Sequence, residues 1–166
     1  MNLLFVCTGN ATRSVIAAGL VAGARPEWTV RSAGTVVIEG LPLSWRTHSA
    51  LDVVGLAAGG HQSTQLRAEH LADIDLVVCA ARDHVRWLRR RHPEIADRAA
   101  TLRRLVRDLP GPPPRLAERV ASLQLDRVEP QPWEDLDDPG GGELDEFLTC
   151  ARDIGELVPQ LLERIG

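Results

Sequence analysis

A cysteine and an arginine six positions apart, Cys7 and Arg13, directly follow a short apolar run near the start of the chain. The run at 3–6 is typical of a buried strand, and the apolar stretch after Ser14 is typical of a helix. A strand that passes through a short loop into a helix lets backbone N–H groups converge next to the positive end of the helix dipole. The segment therefore predicts an anion site that contains a thiol.

The residue types in this loop favour chemistry on a phosphate group. The positive field favours the thiolate of Cys7, which is the reactive form of cysteine. Arg13 offers a planar fork for two phosphate oxygens, and Gly9 allows the close turn. The predicted phosphate-binding residues are Thr8, Gly9, Asn10, Ala11, Thr12, Arg13 and Ser14. The competing interpretation is a strand-turn-helix unit with a buried cysteine.

Residues 7–14, Cys-Thr-Gly-Asn-Ala-Thr-Arg-Ser, resemble the phosphate loop of the low-molecular-weight protein tyrosine phosphatase family, whose pattern is Cys-x-Gly-Asn-x-x-Arg-Ser. Further matches follow in the family's order: Ser-Ala-Gly-Thr at 32–35, His61 after two glycines, and Asp-Pro at 138–139. The resemblance covers nearly the whole chain. It implies a protein tyrosine phosphatase, a phosphomonoester hydrolase that needs neither a metal nor another cofactor.

The resemblance also implies roles for individual residues. Cys7 would attack phosphorus to form a phosphocysteine, and Asp138 would act first as general acid and then as general base. Ser14 would donate a hydrogen bond to the thiolate. Asn10 would hold the loop in a left-handed conformation, with Ser32 and His61 as its hydrogen-bonding partners.

Asp138 has near neighbours in sequence that could be confused with it, Asp135 and Asp137. Pro139 restricts the residue before it to an extended conformation, which would project the Asp138 carboxyl over the pocket. A solvated acidic turn is the alternative for all three carboxylates.

The bulk properties set limits on the class of protein. A chain of 166 residues that is 44% hydrophobic suits one domain over 1–166. No apolar run approaches the ~20 residues of a membrane span, and residues 1–6 are too short for a signal peptide. The three scattered cysteines suit a reducing compartment. We therefore expect a cytoplasmic protein. The net charge of −4 argues against nucleic acid. The expected partners are a phosphorylated protein or small phosphomonoester, with inorganic phosphate as product.

Strand and helix patterns alternate along the chain, which predicts a three-layer α/β/α fold with a parallel sheet. The strands are predicted at 2–7, 28–32, 75–80 and 100–102, and the helices at 14–23, 44–55, 65–71, 82–91 and 143–164. The family resemblance implies four strands in the order 2-1-3-4, with the ligand at their carboxyl ends.

Residues 108–135 break this alternation and are predicted to be an insertion with a short helix near 116–123. The insertion is interpreted either as a lid or partner surface, or as an exposed linker. Trp133, five residues before Asp138, favours a loop that faces the substrate.

Because of departures from the family pattern, the sequence does not identify the leaving group of the substrate. Tyrosine-specific members carry an aromatic pair after the Asp-Pro, whereas this chain has glycines at 140–142 and no tyrosine. Relatives that act on phosphoarginine often have threonine two residues before the loop arginine, and here that residue is Ala11. These departures establish neither specificity, and protein-arginine phosphatase is kept as an alternative to protein tyrosine phosphatase.

Two further alternatives concern the cysteines and the acid loop. Arsenate reductases of this fold relay a disulfide through two further cysteines, but only Cys79 lies near a relay position and Cys150 lies far along the chain. Thr12 replaces the second loop cysteine of many members. The other alternative is a phosphate-binding regulatory module with little turnover, which the glycines after Asp138 favour.

The remaining histidines, at 48, 70, 84 and 92, lack metal-ligand spacing and are expected at the surface or at helix ends.

Overall fold

Four parallel strands form the centre of the molecule in a computed structural model that describes residues 1–57 and 59–166. The strands are β1 (Asn2–Cys7), β2 (Thr29–Gly34), β3 (Leu76–Cys79) and β4 (Ala99–Thr101). The α-helices of the described residues are α1 (Arg13–Ala24), α2 (Trp45–Val53), α3 (Arg82–Arg91), α4 (Leu102–Asp108), α5 (Leu116–Ser122) and α6 (Leu144–Ile165). The strand order is β2-β1-β3-β4, which confirms the predicted topology.

The central strand β1 is buried on both faces because helices cover both sides of the sheet. Leu3 and Phe5 point into a core formed with α1, α2, α4 and α6. Leu4 and Val6 point the other way, into a core formed with α3. This alternation explains why the run reads as continuously apolar, and it places Cys7 at the carboxyl end of the sheet. The predicted three-layer α/β/α architecture is confirmed.

The structure corrects the predicted helix at 65–71. Only Ala68–Leu71 is helical, as a short 3₁₀ turn. The preceding backbone lies alongside the end of β2: the N–H of Gly34 donates to the carbonyl of Thr64 at 2.9 Å, and the N–H of Leu66 donates to the carbonyl of Gly34 at 2.8 Å. These ladder bonds hold 64–66 extended, which overrides the local helical pattern.

Helix α4 was missed by the sequence analysis, and the strand predicted at 100–102 ends one residue early. Thr101 ends the strand and also caps the helix, because its side-chain oxygen accepts a hydrogen bond from the N–H of Arg104 at 3.2 Å. Leu102 and Leu105 then fall on the buried side of the helix. A three-residue strand followed at once by a two-turn helix gives too short a pattern for periodicity to resolve.

The segment 108–135 packs against the end of α6. Arg119 in α5 is 4% exposed, and its guanidinium donates to the carbonyls of Pro110, Pro114 and Ile165 at 2.8, 2.8 and 2.9 Å and also to that of Arg164. It thereby satisfies carbonyls at the helix terminus that have no intrahelical partner. The predicted short helix near 116–123 is confirmed as α5, and the interpretations of the segment as a lid or partner surface, or as an exposed linker, stay predictions.

Trp133 does not lie where the sequence suggested. Its ring stacks on the guanidinium of Arg107 at 3.6 Å, with that of Arg104 at 5.4 Å. The neighbouring Glu134 is buried and pairs with Arg104. Cation–π stacking and this ion pair hold the tryptophan against α4, away from the pocket of Cys7. That the segment is an insertion in a single domain over 1–166 stays a prediction.

None of the helices in the described residues combines the length and apolar character needed to cross a bilayer.

Candidate active site

Cys7 is the last residue of β1 and is 3% exposed. Its Sγ lies 3.0 Å from the Oγ of Ser14, the second residue of α1. Ser14 Oγ also accepts a hydrogen bond from the Nδ2 of Asn10 at 3.0 Å. Because that bond uses an acceptor position of the hydroxyl, the serine proton is available for the cysteine sulfur.

Asn10 holds the middle of the loop in the left-handed region, with φ 50, and is fully buried. Its Nδ2 donates to Ser32 Oγ at 2.9 Å as well as to Ser14, and its Oδ1 accepts from the N–H of Thr64 at 2.9 Å. Asparagine tolerates this backbone conformation better than most residues. The structure brings Ser32 to Asn10 as the family resemblance implied.

The backbone carbonyl of Asn10 is bonded separately. His61 Nε2 lies 2.9 Å from it, and the hydroxyl of Ser63 donates to it at 3.1 Å. His61 therefore supports the loop through the main chain rather than through the asparagine side chain. Ser63 and Thr64 were missed by the sequence analysis, although they lie two and three positions after His61 in a polar run. Together these contacts fix the loop conformation from a second segment of the chain.

Arg13 is the first residue of α1 and is 5% exposed. Its Nη2 donates to Asp138 Oδ2 at 2.5 Å, and its Nη1 donates to the carbonyl of Leu136 at 3.3 Å. Asp138 Oδ1 accepts from the N–H of Gly140 at 3.0 Å. The structure thus places the Asp138 carboxyl directly over the phosphate loop, which the sequence could only suggest.

The neighbouring carboxylates are distinguished by their partners. Asp135 Oδ1 accepts from the backbone N–H of Arg82 at 2.8 Å, and its other oxygen lies 3.3 Å from the guanidinium of the same residue. Asp138 is the carboxylate that contacts Arg13. Asp135 is therefore held at the start of α3, whereas the Asp138 carboxylate lies on the guanidinium of Arg13.

A cavity of about 330 Å³ opens beside Arg13. Its lining residues are Thr8, Arg13, Ala81, Asp83, His84, Asp135, Leu136, Asp137 and Asp138. The lining combines one guanidinium with four carboxylates, and it includes no phenylalanine or tryptophan among the described residues. The pocket offers an anion site at Arg13 and a rim that suits a cationic or hydrogen-bond-donating group.

His84 is buried, although the remaining histidines were expected at the surface or at helix ends. It is in the first turn of α3, at a helix end as expected, but it is only 4% exposed. Its Nδ1 accepts from the N–H of Ala81 at 3.0 Å, and its Nε2 lies 2.9 Å from Thr8 Oγ1. Burial, together with the positive charge of Arg13, lowers the pKa of His84 to about 4. One sequence signal could have found it: α3 follows β3, whose carboxyl end lies beside that of β1.

The remaining cysteines are buried and free. Burial raises the pKa of the Cys79 thiol far above its usual range and that of Cys150 to about 12. Both thiols are therefore protonated near neutral pH and are weak nucleophiles. Thr12 bonds through its hydroxyl to Thr47 at 3.0 Å. In residues 1–57 and 59–166, no three histidine, cysteine or acidic side chains are grouped to hold a metal ion.

A phosphate loop that holds a cysteine and an arginine, at the carboxyl end of a β2-β1-β3-β4 parallel sheet, defines the class of cysteine-dependent phosphatases. The chain belongs to the low molecular weight phosphotyrosine protein phosphatase family, whose model matches residues 2–111. This confirms the family resemblance found in the sequence, and it makes the chain a cysteine-dependent phosphoric monoester hydrolase.

Individual relatives include enzymes named for two different substrates. A protein-arginine-phosphatase from Geobacillus stearothermophilus is 29% identical over 165 residues, which cover 99% of this chain and 95% of that protein. The solved structure of YwlE arginine phosphatase from the same organism has a TM-score of 0.78 at 28% identity, covering 99% of this chain and 92% of that one. The low molecular weight protein tyrosine phosphatase from T. tengcongensis has a TM-score of 0.77 at 30% identity, covering 98% of each chain.

Proposed function

We propose that this chain removes phosphoryl groups from proteins through a phosphocysteine formed on Cys7, with Arg13 as the phosphate-binding residue and Asp138 as general acid and base. The observation that carries the proposal is the contact between Asp138 and Arg13 at 2.5 Å, at the end of the loop that begins with Cys7.

The reaction follows from this arrangement in two steps. The thiolate of Cys7 attacks phosphorus, an S–P bond forms, and the bond to the leaving group breaks as protonated Asp138 donates its proton to that group. Water then attacks phosphorus and passes a proton to the Asp138 carboxylate. The S–P bond breaks, inorganic phosphate leaves, and the hydroxyl of Ser14 stabilises the released thiolate. Arg13 neutralises charge on the phosphoryl oxygens in both steps.

The test is hydrolysis of para-nitrophenyl phosphate from about pH 4 to 8, with a reductant and without added metal. Cys7→Ser abolishes turnover if the proposal is right, and Asp138→Asn lowers it by about 10²–10⁴-fold. Cys150→Ser is the matched thiol control and keeps its activity. A folded wild type that binds phosphate without turning over the ester contradicts the proposal and points to a phosphate-binding module instead.

The leaving group has two candidates, phosphotyrosine and phosphoarginine. Phosphotyrosine is the substrate for which the family is named. The cavity rim favours phosphoarginine, because Asp83 and Asp137 line it beside Arg13 and can accept from the N–H groups of a guanidinium, whereas a phenyl ring finds no aromatic partner among the described lining residues. The relative named as a protein-arginine phosphatase also matches almost the whole chain.

Matched peptides that differ only in the phosphorylated residue separate the two candidates. We expect kcat/KM for the phosphoarginine peptide to exceed that for the phosphotyrosine peptide by at least about tenfold, the size of one charge-assisted contact. Asp83→Asn and Asp137→Asn should narrow this ratio. A ratio that favours phosphotyrosine by the same factor returns the assignment to a tyrosine phosphatase.

Arsenate reduction is tested in the same preparation. Both further cysteines are buried with raised pKa values, which does not favour a disulfide relay from Cys7. Arsenate-dependent consumption of a thiol reductant would support arsenate reduction.

We also propose a cytoplasmic location, with phosphorylated proteins or small phosphomonoesters as partners. The three free cysteines support a reducing compartment.

A further inference from the structure

The hydroxyl of Thr8 lies between two hydrogen-bond donors of the pocket. His84 Nε2 is 2.9 Å from Thr8 Oγ1, and Arg13 Nη2 donates to the same oxygen at 3.4 Å. Thr8 is the exposed residue directly after Cys7, and it lines the cavity with Arg13 and Asp138. A threonine hydroxyl is free to rotate, so its partners decide where its proton points.

The backbone of Ala81 determines which nitrogen of His84 carries the proton. Its N–H donates to Nδ1 at 3.0 Å, and Nδ1 must therefore be the unprotonated nitrogen of a neutral ring. The other nitrogen, Nε2, then bears the hydrogen and donates it to Thr8. The imidazole is 4% exposed, and burial next to Arg13 favours its neutral form.

Two donors occupy the acceptor positions of the Thr8 oxygen, so its own proton must point elsewhere. In the part of the chain that the structure describes, no protein group accepts this proton. The remaining direction is the cavity beside Arg13, where the proposed function places the phosphoryl group. A hydroxyl in this position adds a neutral donor to the loop without adding charge.

We propose that His84 is a positioning residue that fixes the Thr8 hydroxyl as a hydrogen-bond donor to the phosphoryl group bound at the loop. The inference rests on the proposed function for the identity of that group. The chain of contacts runs from the N–H of Ala81 through the imidazole to Thr8, and so joins the end of β3 to the phosphate loop.

The first test determines the tautomer of His84 in the protein without any substitution. Long-range proton–nitrogen spectra of the wild type at pH 7 should show His84 with Nε2 protonated and Nδ1 unprotonated. The opposite tautomer, or a charged ring, would overturn the proposal because His84 could then not direct the threonine proton in this way.

The second test measures binding of inorganic phosphate by calorimetry, which needs no turnover. Thr8→Val keeps the shape and removes the hydroxyl, and it should weaken phosphate binding by about tenfold or more, the usual size of a hydrogen bond to a charged group. Thr8→Ser keeps the hydroxyl and should stay within about threefold of the wild type. Equal affinity in wild type and Thr8→Val overturns the proposal.

The third test asks whether His84 acts through Thr8. His84→Leu should weaken phosphate binding severalfold, while His84→Gln, whose amide N–H reaches the position of Nε2, should recover most of it. In the Thr8→Val background neither change should weaken binding further. An equal loss in both backgrounds means that His84 only supports the fold, and it overturns the inference.

These outcomes are separate from those of the proposed function. A wild type that hydrolyses the ester but keeps its phosphate affinity in Thr8→Val overturns the inference alone. A wild type that binds phosphate through Thr8 without turnover overturns the proposed function alone. If His84→Leu does not fold, the tautomer of His84 and the phosphate affinities of Thr8→Val and Thr8→Ser still test the proposal.

Discussion

Arg13 and Asp138, 125 positions apart in the sequence, form an ion pair at 2.5 Å across the mouth of the phosphate loop. The arginine is 5% exposed on its side chain and the aspartate 55%. The same guanidinium edge is needed for phosphate oxygens, so the carboxylate and the phosphate compete for it. The proposed general acid therefore also competes with the anion on which it would act.

Asp138→Asn should separate these two effects. We expect kcat to fall by about 10²–10⁴-fold because the proton donor is lost. The inhibition constant for inorganic phosphate at pH 7 should fall as well, because a neutral amide neither holds Arg13 nor repels the anion. Steady-state kinetics with phosphate as inhibitor measure both. Asp126→Asn is the control, since that carboxylate is at the surface and is not among the residues that line the cavity. Weaker phosphate inhibition in Asp138→Asn would contradict this competition.

The stability of the protein should depend on the side-chain hydrogen bonds of Asn10 and on its tolerance of the left-handed backbone conformation. Asn10→Gly removes the hydrogen bonds but suits the left-handed conformation, whereas Asn10→Ala removes them and also strains the backbone. We expect both variants to be less stable than the wild type, with alanine lower than glycine by about 1 kcal/mol. Urea unfolding followed by circular dichroism measures the difference. An alanine variant as stable as the glycine variant would show that the loop relaxes away from this conformation.

His84 should make the stability of the protein depend on pH. Its pKa is lowered to about 4 in the fold, from about 6.5 when unfolded, through burial and Arg13, with Asp138 and Asp83 acting in the opposite direction. Between these values the unfolded chain binds more protons, so stability falls as the pH falls from about 6.5 towards 4. The loss is on the order of 2–3 kcal/mol by pH 4.5.

Comparison with His84→Gln isolates this contribution from that of the other titrating groups. The free energy of unfolding in urea is measured for both proteins at pH 7 and pH 4.5. The wild type should lose more stability than the variant over this interval. Parallel losses would mean that His84 titrates normally in the folded state.

Glu134 should anchor the segment 108–135 to α4. It is 1% exposed, its Oε2 accepts from Thr101 at 2.7 Å, and it pairs with Arg104. Burial alone would raise its pKa, but its bonds to Arg104, the N–H of Gln131 and Thr101 outweigh this and lower the pKa. Glu134→Gln leaves the guanidinium of Arg104 with Asp108 as its remaining carboxylate partner and should destabilise the protein by about 2 kcal/mol.

The matched control is Glu129→Gln in the same segment. Glu129 is 60% exposed and pairs with Arg86 at the surface, so its loss should change stability by less than about 1 kcal/mol. Thermal and urea unfolding compare the two variants, and kcat at a temperature where both are folded should match the wild type. A large fall in kcat for folded Glu134→Gln would instead indicate that the segment acts on the pocket.

The sequence and the structure agree most closely where the chemistry is local. The strand at 2–7 and the helix at 82–91 were predicted with the bounds that the structure gives, because continuous burial and helical spacing leave a clear pattern. The predicted helix at 65–71 failed because the backbone of 64–66 bonds to Gly34 in a distant strand. Propensity is a weak guide where such long-range hydrogen bonds compete with it.

By itself, the sequence determined the contents of the phosphate loop, and the family resemblance carried by its motifs implied the order of the strands. Cys7, Arg13 and Ser14 belong to one strand-loop-helix unit, so their proximity follows from chain connectivity. Only the tertiary structure decided that Asp138 rather than Asp135 lies on Arg13, and that His84 reaches Thr8. Those contacts join segments more than 70 residues apart, and they depend on the packing of β3 beside β1, which no local pattern of residues encodes.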